Sequence, residues 1–333
     1  MDITFPARDE PPARIIAELS EPDAGRVADN FMTNEDSFAT VVDRLGREGE
    51  SRGVYLGVGP DQNLTYLAHA RPKLAFVVDF RRRNALVHLL HKALASIAHD
   101  RATYLALLTA RVPAGIPPDP SMDDLFAGFR RATFDRSLLA ETVARVAGSL
   151  GPTGLLADSE RPELATIQAK LAGPGFDARF LALPMYPSFG RLLRSTDRLG
   201  RPAHFLAREE WFQVVREAEL GDRVIPLVGD FAGPKTMAAL GAWLRARGLT
   251  VATFYASDVE YFLLKAGRFA AYAANLAALP WAADARLIRT STREIDHPER
   301  RLGESSTTIL RPVAPFLEAA LAGRIVTLDD LFR

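Results

Sequence analysis

Residues 54–68, VYLGVGPDQNLTYLA, decide the fold, because an apolar run passes through two glycines directly into a helical pattern. The next stretch repeats this order, with the apolar run KLAFVVDF (73–80) followed by the helical pattern RRRNALVHLLHKALASIAHD (81–100). Short apolar runs that alternate with helices indicate parallel βαβ winding. The sequence therefore predicts an α/β fold with a doubly wound, mostly parallel sheet.

The alternation stops after residue 100 and resumes after residue 205. Between them lie helical stretches and loops, so we expect a helical insertion or cap, although ARFLALP (178–184) could form a strand. Further strands are expected in RVIPLVGD (223–230) and LTVATFYASD (249–258). We divide the chain into an N-terminal helical segment (1–50), the first half of a nucleoside-binding α/β domain (51–100), the insertion (101–205), and the second half with the C-terminal segment (206–333).

Local signals also predict the elements near the two ends of the chain. Thr33 is a candidate N-cap with Asp36 three residues later, which predicts a helix that runs to about Arg47. Near the C-terminus, ARLIRTS (285–291) predicts a short strand, the polar residues 291–308 predict a loop, and a last helix is expected near 312–322.

Composition narrows the classes of function. Basic and acidic residues number 41 each among 333 residues, so no net field directs the chain to nucleic acid or to an anionic membrane. The absence of cysteine excludes disulfides, thiolate metal sites and cysteine nucleophiles. No stretch reaches the ~18 apolar residues of a membrane helix, and the N-terminus lacks the apolar core of a signal peptide. We expect a cytoplasmic protein that acts on a small molecule.

The loop after the first predicted strand has the spacing of a nucleoside site. Gly57 and Gly59 lie between a strand and a helix, and Asp79 ends the next strand about 20 residues later, where an acid accepts hydrogen bonds from ribose hydroxyls. Glycine lets a ligand approach the backbone closely. These three residues are therefore candidates for cofactor binding.

The charge of Asp61 favours one kind of cofactor over another. A dinucleotide places its pyrophosphate at a helix N-terminus, where free N–H groups favour an anion. A carboxylate directly after Pro60 would repel that pyrophosphate. S-adenosylmethionine carries a sulfonium and an amino group instead of phosphate, so an acidic loop suits it better. The alternative is that Asp61 only caps the helix.

The arginine run at 81–83 favours a dinucleotide cofactor instead. Three cations in the first turn of a helix oppose its dipole, so they either face solvent or meet an anion. In an NADP-dependent oxidoreductase such arginines would bind the 2′-phosphate, and this enzyme class stays open as an alternative. Asp79, if it points at the ribose, argues against that phosphate.

Two later strands end in polar clusters. One ends at Asp230, and the other ends at Tyr255, Ser257 and Asp258 with Glu260 just beyond. In a parallel sheet the carboxyl ends share one edge, where ligands bind. Acids and hydroxyls at that edge are suited to general acid–base chemistry. The alternative is that Ser257 and Asp258 cap the following helix.

Together VYLGVGP, Asp79, VGDF (228–231) and the segment 255–260 resemble the motifs of class I S-adenosylmethionine-dependent methyltransferases. The resemblance implies a Rossmann-like fold of the methyltransferase type and S-adenosylmethionine as cofactor. It implies cofactor contacts at Gly57, Gly59, Asp79 and Asp230, and we add their neighbours Asp61, Arg81 and Phe231 as candidates for cofactor binding. It also implies catalytic or substrate roles for Tyr255, Ser257, Asp258 and Glu260, with Asp258 or Glu260 as the base.

The resemblance is closest to an uncharacterised bacterial family of this fold, through segments such as NEDSF (34–38), YPSFGRLL (186–193) and FYASDVEYFL (254–263). The chain departs from the methyltransferase pattern at Tyr55, where an acid is usual, and at Asp61, where the third glycine is usual. These departures leave open a non-catalytic ligand-binding protein of the same fold. His88, His91 and His99 lack suitable neighbours, so we expect no metal site.

Overall fold

The computed structural model describes residues 10–25, 30–47 and 52–333. This part of the chain contains a six-stranded sheet of order β3-β2-β1-β4-β5-β6, in which β1 to β5 are parallel and β6 runs antiparallel to β5. The strands are β1 (Val54–Gly57), β2 (Leu74–Asp79), β3 (Val224–Val228), β4 (Val251–Ser257), β5 (Trp281–Ser291) and β6 (Thr307–Pro312). The predicted α/β class with a mostly parallel sheet is confirmed.

Helices connect and cover the strands. They are α1 (Pro12–Leu19), α2 (Gln62–Ala70), α3 (Arg82–Ile97), α4 (Arg101–Thr109), α5 (Met122–Arg131), α6 (Arg136–Leu150), α7 (Arg161–Ala172), α8 (Phe189–Leu193), α9 (Glu209–Leu220), α10 (Thr236–Ala246), α11 (Val259–Lys265), α12 (Phe269–Ala277), α13 (Val313–Leu321) and α14 (Leu328–Phe332). None of the described helices is long and apolar enough to cross a membrane.

The order of the strands places helices on both faces of the sheet. The chain winds from β1 outward to β3 and then returns to β4 and β5, and right-handed crossovers put the two sets of helices on opposite faces. In one layer α9 packs against α2 and α3, and in the other α12 packs against α10 and α13. β1, β2 and β3 are therefore buried at every residue, which explains their continuous apolar sequences.

Between α3 and α9 the chain forms the helices α4 to α8 and several 3-10 turns. Two isolated bridges, Arg179 with Ser188 and Thr196 with Pro202, are the extended pairings in this region, which is described throughout. The segment that could have formed a strand contains a 3-10 turn at Phe180–Ala182 with positive φ at Leu181. The helical interpretation of the region agrees with the structure, while the exact limits of an insertion stay a prediction.

One sequence expectation near the N-terminus was wrong, and one near the C-terminus was incomplete. The helix expected from Thr33 to Arg47 is a 3-10 helix at Phe38–Arg44. Its capping box does not form, because Asp36 instead accepts hydrogen bonds from the N–H groups of Ser305 and Ser306. The loop expected at 291–308 lies between β5 and β6, but the strand β6, which was not predicted, begins at Thr307 and pairs antiparallel with β5.

The N-terminal segment crosses the carboxyl edge of the sheet. Glu21 N–H donates to Val228 O at 2.7 Å at the end of β3, and Ala24 N–H donates to Phe80 O at 3.1 Å beyond β2. The Glu21 carboxylate accepts from the N–H groups of Lys235 and Thr236 at 3.0 and 2.8 Å, at the start of α10. A carboxylate stabilises the positive end of a helix, so this segment supplies a cap from outside the helix.

We expect Glu21→Gln to lower the free energy of unfolding by about 1 kcal/mol, because a charged acceptor at a helix N-terminus is lost. Urea unfolding measures this change. The matched control is Glu18→Gln in α1, an exposed glutamate, which should change stability by less than about 0.5 kcal/mol. Equal stability of the two variants would contradict the capping role.

Candidate functional site

The order of strands reverses between β1 and β4, which is the switch point where ligands of doubly wound sheets bind. The glycine loop leaves β1 on one side of this point. Ser257 and Asp258 leave β4 on the other side. The structure thus brings two of the predicted site segments to the same place.

Glu35, from the N-terminal segment, is buried at this switch point with 1% of its surface exposed. Its Oε2 accepts hydrogen bonds from the hydroxyls of Tyr255 at 2.7 Å and Thr290 at 2.8 Å, and Ser257 Oγ donates to its Oε1. Burial, helped by the nearby Asp258 charge, raises the pKa of Glu35 from 4.5 to about 7, although the three hydroxyls oppose the shift. Glu35 therefore changes charge near neutral pH.

Two further carboxyls with raised pKa values belong to the same loops, the half-buried Asp258 near Glu35 and the buried Asp61 of the glycine loop. Burial raises the pKa of Asp258, whose Oδ2 accepts from Thr292 Oγ1 at 3.0 Å. Burial also raises the pKa of Asp61 from 3.8 to about 6, against a hydrogen bond from Thr33 N–H at 2.8 Å. In the described part of the chain none of the three acids forms an ion pair, although the charge of Arg293 lies close enough to lower the pKa of Asp258. The site therefore has an excess of negative charge when all three acids ionise.

The position of Asp61 corrects one sequence expectation. The helix α2 begins at Gln62, and the Asp61 side chain makes no capping hydrogen bond within it. Its carboxylate turns to the Thr33 N–H of the N-terminal segment instead. The alternative interpretation, that Asp61 only caps the helix, is therefore wrong, and its charge stays at the switch point.

Ser257 has a strained backbone. Its φ of 54° is in the left-handed region that a residue with a side chain seldom adopts. The pairing of β4 with β5 shifts register between Tyr255 and Ser257. A conformation of this kind costs of order 1–3 kcal/mol and persists where surrounding contacts fix it. Here it lets the strand end turn so that the hydroxyl of Ser257 reaches Glu35.

Gln62 leaves one buried polar atom without a partner. Its Nε2 donates to Tyr255 OH at 2.9 Å. Its Oε1 is buried and has no hydrogen-bond partner among the described residues. Buried polar groups are almost always hydrogen-bonded, so this acceptor is suited to an N–H or O–H group of a ligand at the switch point.

The glycine loop is fixed by packing as well as by any ligand. A Cβ at Gly57 would overlap Asn63 Oδ1 and lie 2.7 Å from the Tyr55 ring. Asn63 Nδ2 donates to three successive carbonyls of the loop, those of Val58, Gly59 and Pro60, at 2.9, 3.0 and 2.7 Å. Gly57 is therefore required by its neighbours, and its contact with a cofactor stays a prediction.

Gly59 is the glycine of the loop that needs conformational freedom, because its φ is 76°. Its carbonyl also accepts from His88 Nε2 at 2.8 Å, which implies that this ring nitrogen carries a proton. Burial lowers the pKa of His88, so the ring is neutral near pH 7. The described residues contain no group of three side chains that could hold a metal ion.

In this structure Arg81 occupies the carboxylate of Asp79, the acid that was predicted to bind a ribose. Its Oδ1 accepts from Arg81 N–H at 3.0 Å and from Arg81 Nε at 2.8 Å, and its Oδ2 accepts from Arg81 Nη2 at 2.8 Å. Both carboxylate oxygens are thus engaged by the arginine that was itself expected to contact the cofactor. A ribose that contacts Asp79 would therefore share this carboxylate with the Arg81 side chain or displace it.

The rest of the arginine run binds acids outside the sheet. Arg82 Nε lies 2.6 Å from Glu160 Oε1, and Arg83 Nε lies 2.7 Å from Glu163 Oε1. Glu160 and Glu163 belong to the helical region between α3 and α9. The charges that favoured a 2′-phosphate are therefore already paired with carboxylates.

Asp230 lies just beyond β3, at the edge of the sheet. Its Oδ2 accepts from Arg268 Nη1 at 2.6 Å, and its Oδ1 accepts from Ala232 N–H at 2.8 Å. Phe231 is buried, and its ring packs edge-on against Phe254 at 5.3 Å. Whether these residues contact an adenine stays a prediction.

Glu260 belongs to a buried ion pair. Its two oxygens accept from Arg289 Nε at 2.6 Å and Arg289 Nη2 at 3.0 Å, and Tyr272 OH also donates to it at 3.0 Å. Both partners are almost fully buried, so removal of one charge would leave the other unpaired. These contacts give Glu260 a structural role as one partner of a buried ion pair. A role as catalytic base would require this pair to separate.

Sequence reasoning missed Glu35 and Thr290. Glu35 lies 220 residues from Tyr255 along the chain, and its local segment predicted a helix start instead of a site. Thr290 gave no signal of its own, because it lies between Arg289 and Ser291 in the polar end of β5.

The family described as "Domain of unknown function (DUF7790)" matches residues 30–114 and 185–318, so the chain belongs to this family. The matched residues include Glu35, the glycine loop and the end of β4. Residues 115–184, in the helical region, are not matched. No curated protein matches the chain.

We expect Glu35→Gln to gain stability relative to the wild type as pH rises. The quantity compared is the free energy of unfolding of the variant minus that of the wild type. The folded-state pKa of Glu35 is raised from 4.5 to about 7, so the folded state binds more protons in this window. The wild type therefore loses this contribution as pH rises through the window. Glutamine does not titrate, and the difference should grow by about 2–3 kcal/mol.

Urea unfolding at intervals between about pH 5 and pH 8 measures the difference. The titrating groups other than Glu35 are present in both proteins, so their contributions cancel when the two free energies are subtracted. The exposed-site variant Glu18→Gln, measured over the same range, is the control. A flat difference for Glu35→Gln would show that Glu35 has an ordinary pKa.

Proposed function

We propose that this member of the DUF7790 family binds S-adenosylmethionine at the switch point between β1 and β4, as a methyltransferase or close relative that acts on a small molecule. One observation carries the proposal. Glu35 and Asp61 are buried there and Asp258 is half-buried, and all three have raised pKa values and form no ion pair in the described chain. The sulfonium and amino groups of S-adenosylmethionine would supply the missing positive charge.

The electrostatic argument follows from the pKa values. Burial disfavours the ionised carboxyl, and a cation nearby restores it. A ligand cation that enters the site therefore gains the interaction with an ionised carboxylate and releases a proton from Glu35 near neutral pH. A pyrophosphate would meet the same carboxyls with the opposite sign. The site favours a cationic ligand over a dinucleotide.

The residues at the site fit the groups of S-adenosylmethionine. Gln62 Oε1 lacks a partner among the described residues and can accept from the amino group. Glu35 and Asp258 supply negative charge for the sulfonium and the amino group. Asp79 is suited to the ribose hydroxyls once Arg81 shares or releases it. The bound group would supply an activated methyl, and transfer depends mainly on orientation of the nucleophile.

The protein can also hold or accept a proton at this site. A general base works best when its pKa is near the working pH, and Glu35 has a pKa of about 7. Glu35 therefore joins Asp258 as a candidate base for a nucleophile that carries a proton. Tyr255 and Ser257 would orient the Glu35 carboxyl through their hydroxyls.

The hydrogen bonds between Arg81 and the Asp79 carboxylate favour a second candidate function. In this candidate the protein has the same fold and binds a ligand without turnover. In such a protein the switch point would keep its acids while the ribose contact stays occupied by Arg81. No comparable observation favours an NADP-dependent oxidoreductase, because Arg82 and Arg83 already bind Glu160 and Glu163.

Titration calorimetry with S-adenosylmethionine and S-adenosylhomocysteine tests the proposal, because the two ligands differ in the charge on sulfur. We expect Glu35→Gln to weaken binding of S-adenosylmethionine by about tenfold, or about 1.4 kcal/mol. Binding of S-adenosylhomocysteine should weaken by less. Affinity for S-adenosylmethionine in the wild type should also rise as pH rises through about 7.

The control variant is Glu219→Gln. Glu219 is also buried with a raised pKa, but it lies near the end of α9, which leads to the amino end of β3 at the opposite edge of the sheet. This variant should bind both ligands like the wild type. Tight binding of NADP without binding of either adenosyl ligand would overturn the proposal, and so would an equal loss for both ligands in Glu35→Gln.

A further inference from the structure

A cavity of about 570 Å³ lies in the helical region between α3 and α9. Its wall comes from α5, α8 and the turn that contains Phe176 and Asp177. Its volume is in the range of small-molecule sites, which is roughly 300–1,000 Å³. None of its lining residues belongs to the switch point.

The wall of this cavity is strongly basic. Four arginines line it against the single acid Asp177, and they are Arg111, Arg130, Arg191 and Arg194. A concave surface with one sign of charge concentrates ions of the opposite sign. The cavity is therefore suited to an anion.

The four arginines differ in how many N–H groups remain for hydrogen bonds to a ligand. Arg111 donates to the main-chain carbonyls of Thr109, Ala172 and Gly173, so it contributes fixed charge. Arg130 is exposed and has no hydrogen bond or ion pair with any described residue. Arg130 is thus the guanidinium that can turn to a ligand at the least cost.

Arg191 and Arg194 each bind an acid that does not line the cavity and keep further N–H groups. Arg191 Nη2 lies 3.0 Å from Asp36 Oδ2. Arg194 Nη2 lies 2.7 Å from Asp123 Oδ1, an 88% exposed side chain whose hold on the arginine is weakened by solvent. A guanidinium has five N–H donors, so both arginines can also contact an anion in the cavity.

Aromatic rings form the other part of the wall. The Phe176 ring lies 4.8 Å from that of Phe126 and 5.2 Å from that of Phe129, between ring centroids. The guanidinium of Arg194 lies 3.9 Å from the centroid of the Phe126 ring. Such rings pack well against a flat apolar group.

We propose that this cavity binds an organic anion in which a phosphate or carboxylate is attached to a planar apolar group. Guanidinium groups bind both anions through paired N–H donors, and the phenylalanine rings would contact the apolar part. Arg130 and the three rings lie in residues 115–184, outside the family match, whereas Arg191 and Arg194 lie within it. The site is separate from the adenosyl site proposed above.

Titration calorimetry on the full-length protein with four probes tests this site. Phenyl phosphate and benzoate combine an anion with a ring, inorganic phosphate has only the anion, and benzyl alcohol has only the ring. We expect phenyl phosphate or benzoate to bind at least about tenfold more tightly than either single-feature probe, a gap of about 1.4 kcal/mol. Whichever of the two binds more tightly identifies the anion.

Arg130→Gln should weaken the tighter probe by about three- to tenfold, with unchanged thermal stability because Arg130 is exposed. The matched control is Arg131→Gln, on the same helix, whose side chain binds Ala114 O and does not line the cavity. Phe176→Leu should reduce the advantage of the ring-bearing probes over inorganic phosphate. Affinity for S-adenosylmethionine should not change in Arg130→Gln.

Two results would overturn the proposal. The first is that neither ring-bearing anion binds the wild type with a dissociation constant below about 10 mM. The second is that Arg130→Gln and Arg131→Gln bind these probes equally. Both results are independent of whether the switch point binds an adenosyl ligand.

Discussion

The carboxyl group of Glu35 is the contact that joins the N-terminal segment to the switch point of the sheet. Tyr255, Ser257 and Thr290, from two neighbouring strands, donate their hydroxyls to it. These hydrogen bonds offset part of the cost of burying an acid. They also connect the left-handed backbone of Ser257 to a fixed partner. The site is therefore formed by segments from opposite ends of the chain.

The acids at the carboxyl edge fall into two electrostatic groups. Asp79, Asp230 and Glu260 each bind an arginine. Glu35, Asp61 and Asp258 have raised pKa values instead. Ion pairing and hydrogen bonding satisfy the first group inside the protein, whereas the second group would gain most from a cation that arrives with a ligand. This contrast, more than the glycine loop, distinguishes the switch point from the rest of the edge.

The sequence predicted the sheet well because the signals are local. The apolar runs of β1 and β2 and the helical pattern of α3 lie within 50 residues and need no distant partner to be recognised. The edge strand β6 was missed because it is short, polar at its start and stabilised by pairing with β5. Glu35 was missed for a similar reason, since its role depends on hydroxyls more than 200 residues away. The roles of Asp61 and Arg81 depended on side-chain direction, which spacing along the chain does not determine.

The central claim is that the switch point holds an acid that stays partly protonated at neutral pH until a cationic ligand binds. Carbon-13 NMR of the side-chain carboxyl of Glu35, assigned through its absence in Glu35→Gln, measures this directly. The structure predicts a titration midpoint of about 7 in the free protein and a lower midpoint in protein saturated with S-adenosylmethionine. A midpoint near the ordinary value of 4.5 in the free protein, or no change on saturation, would contradict the claim.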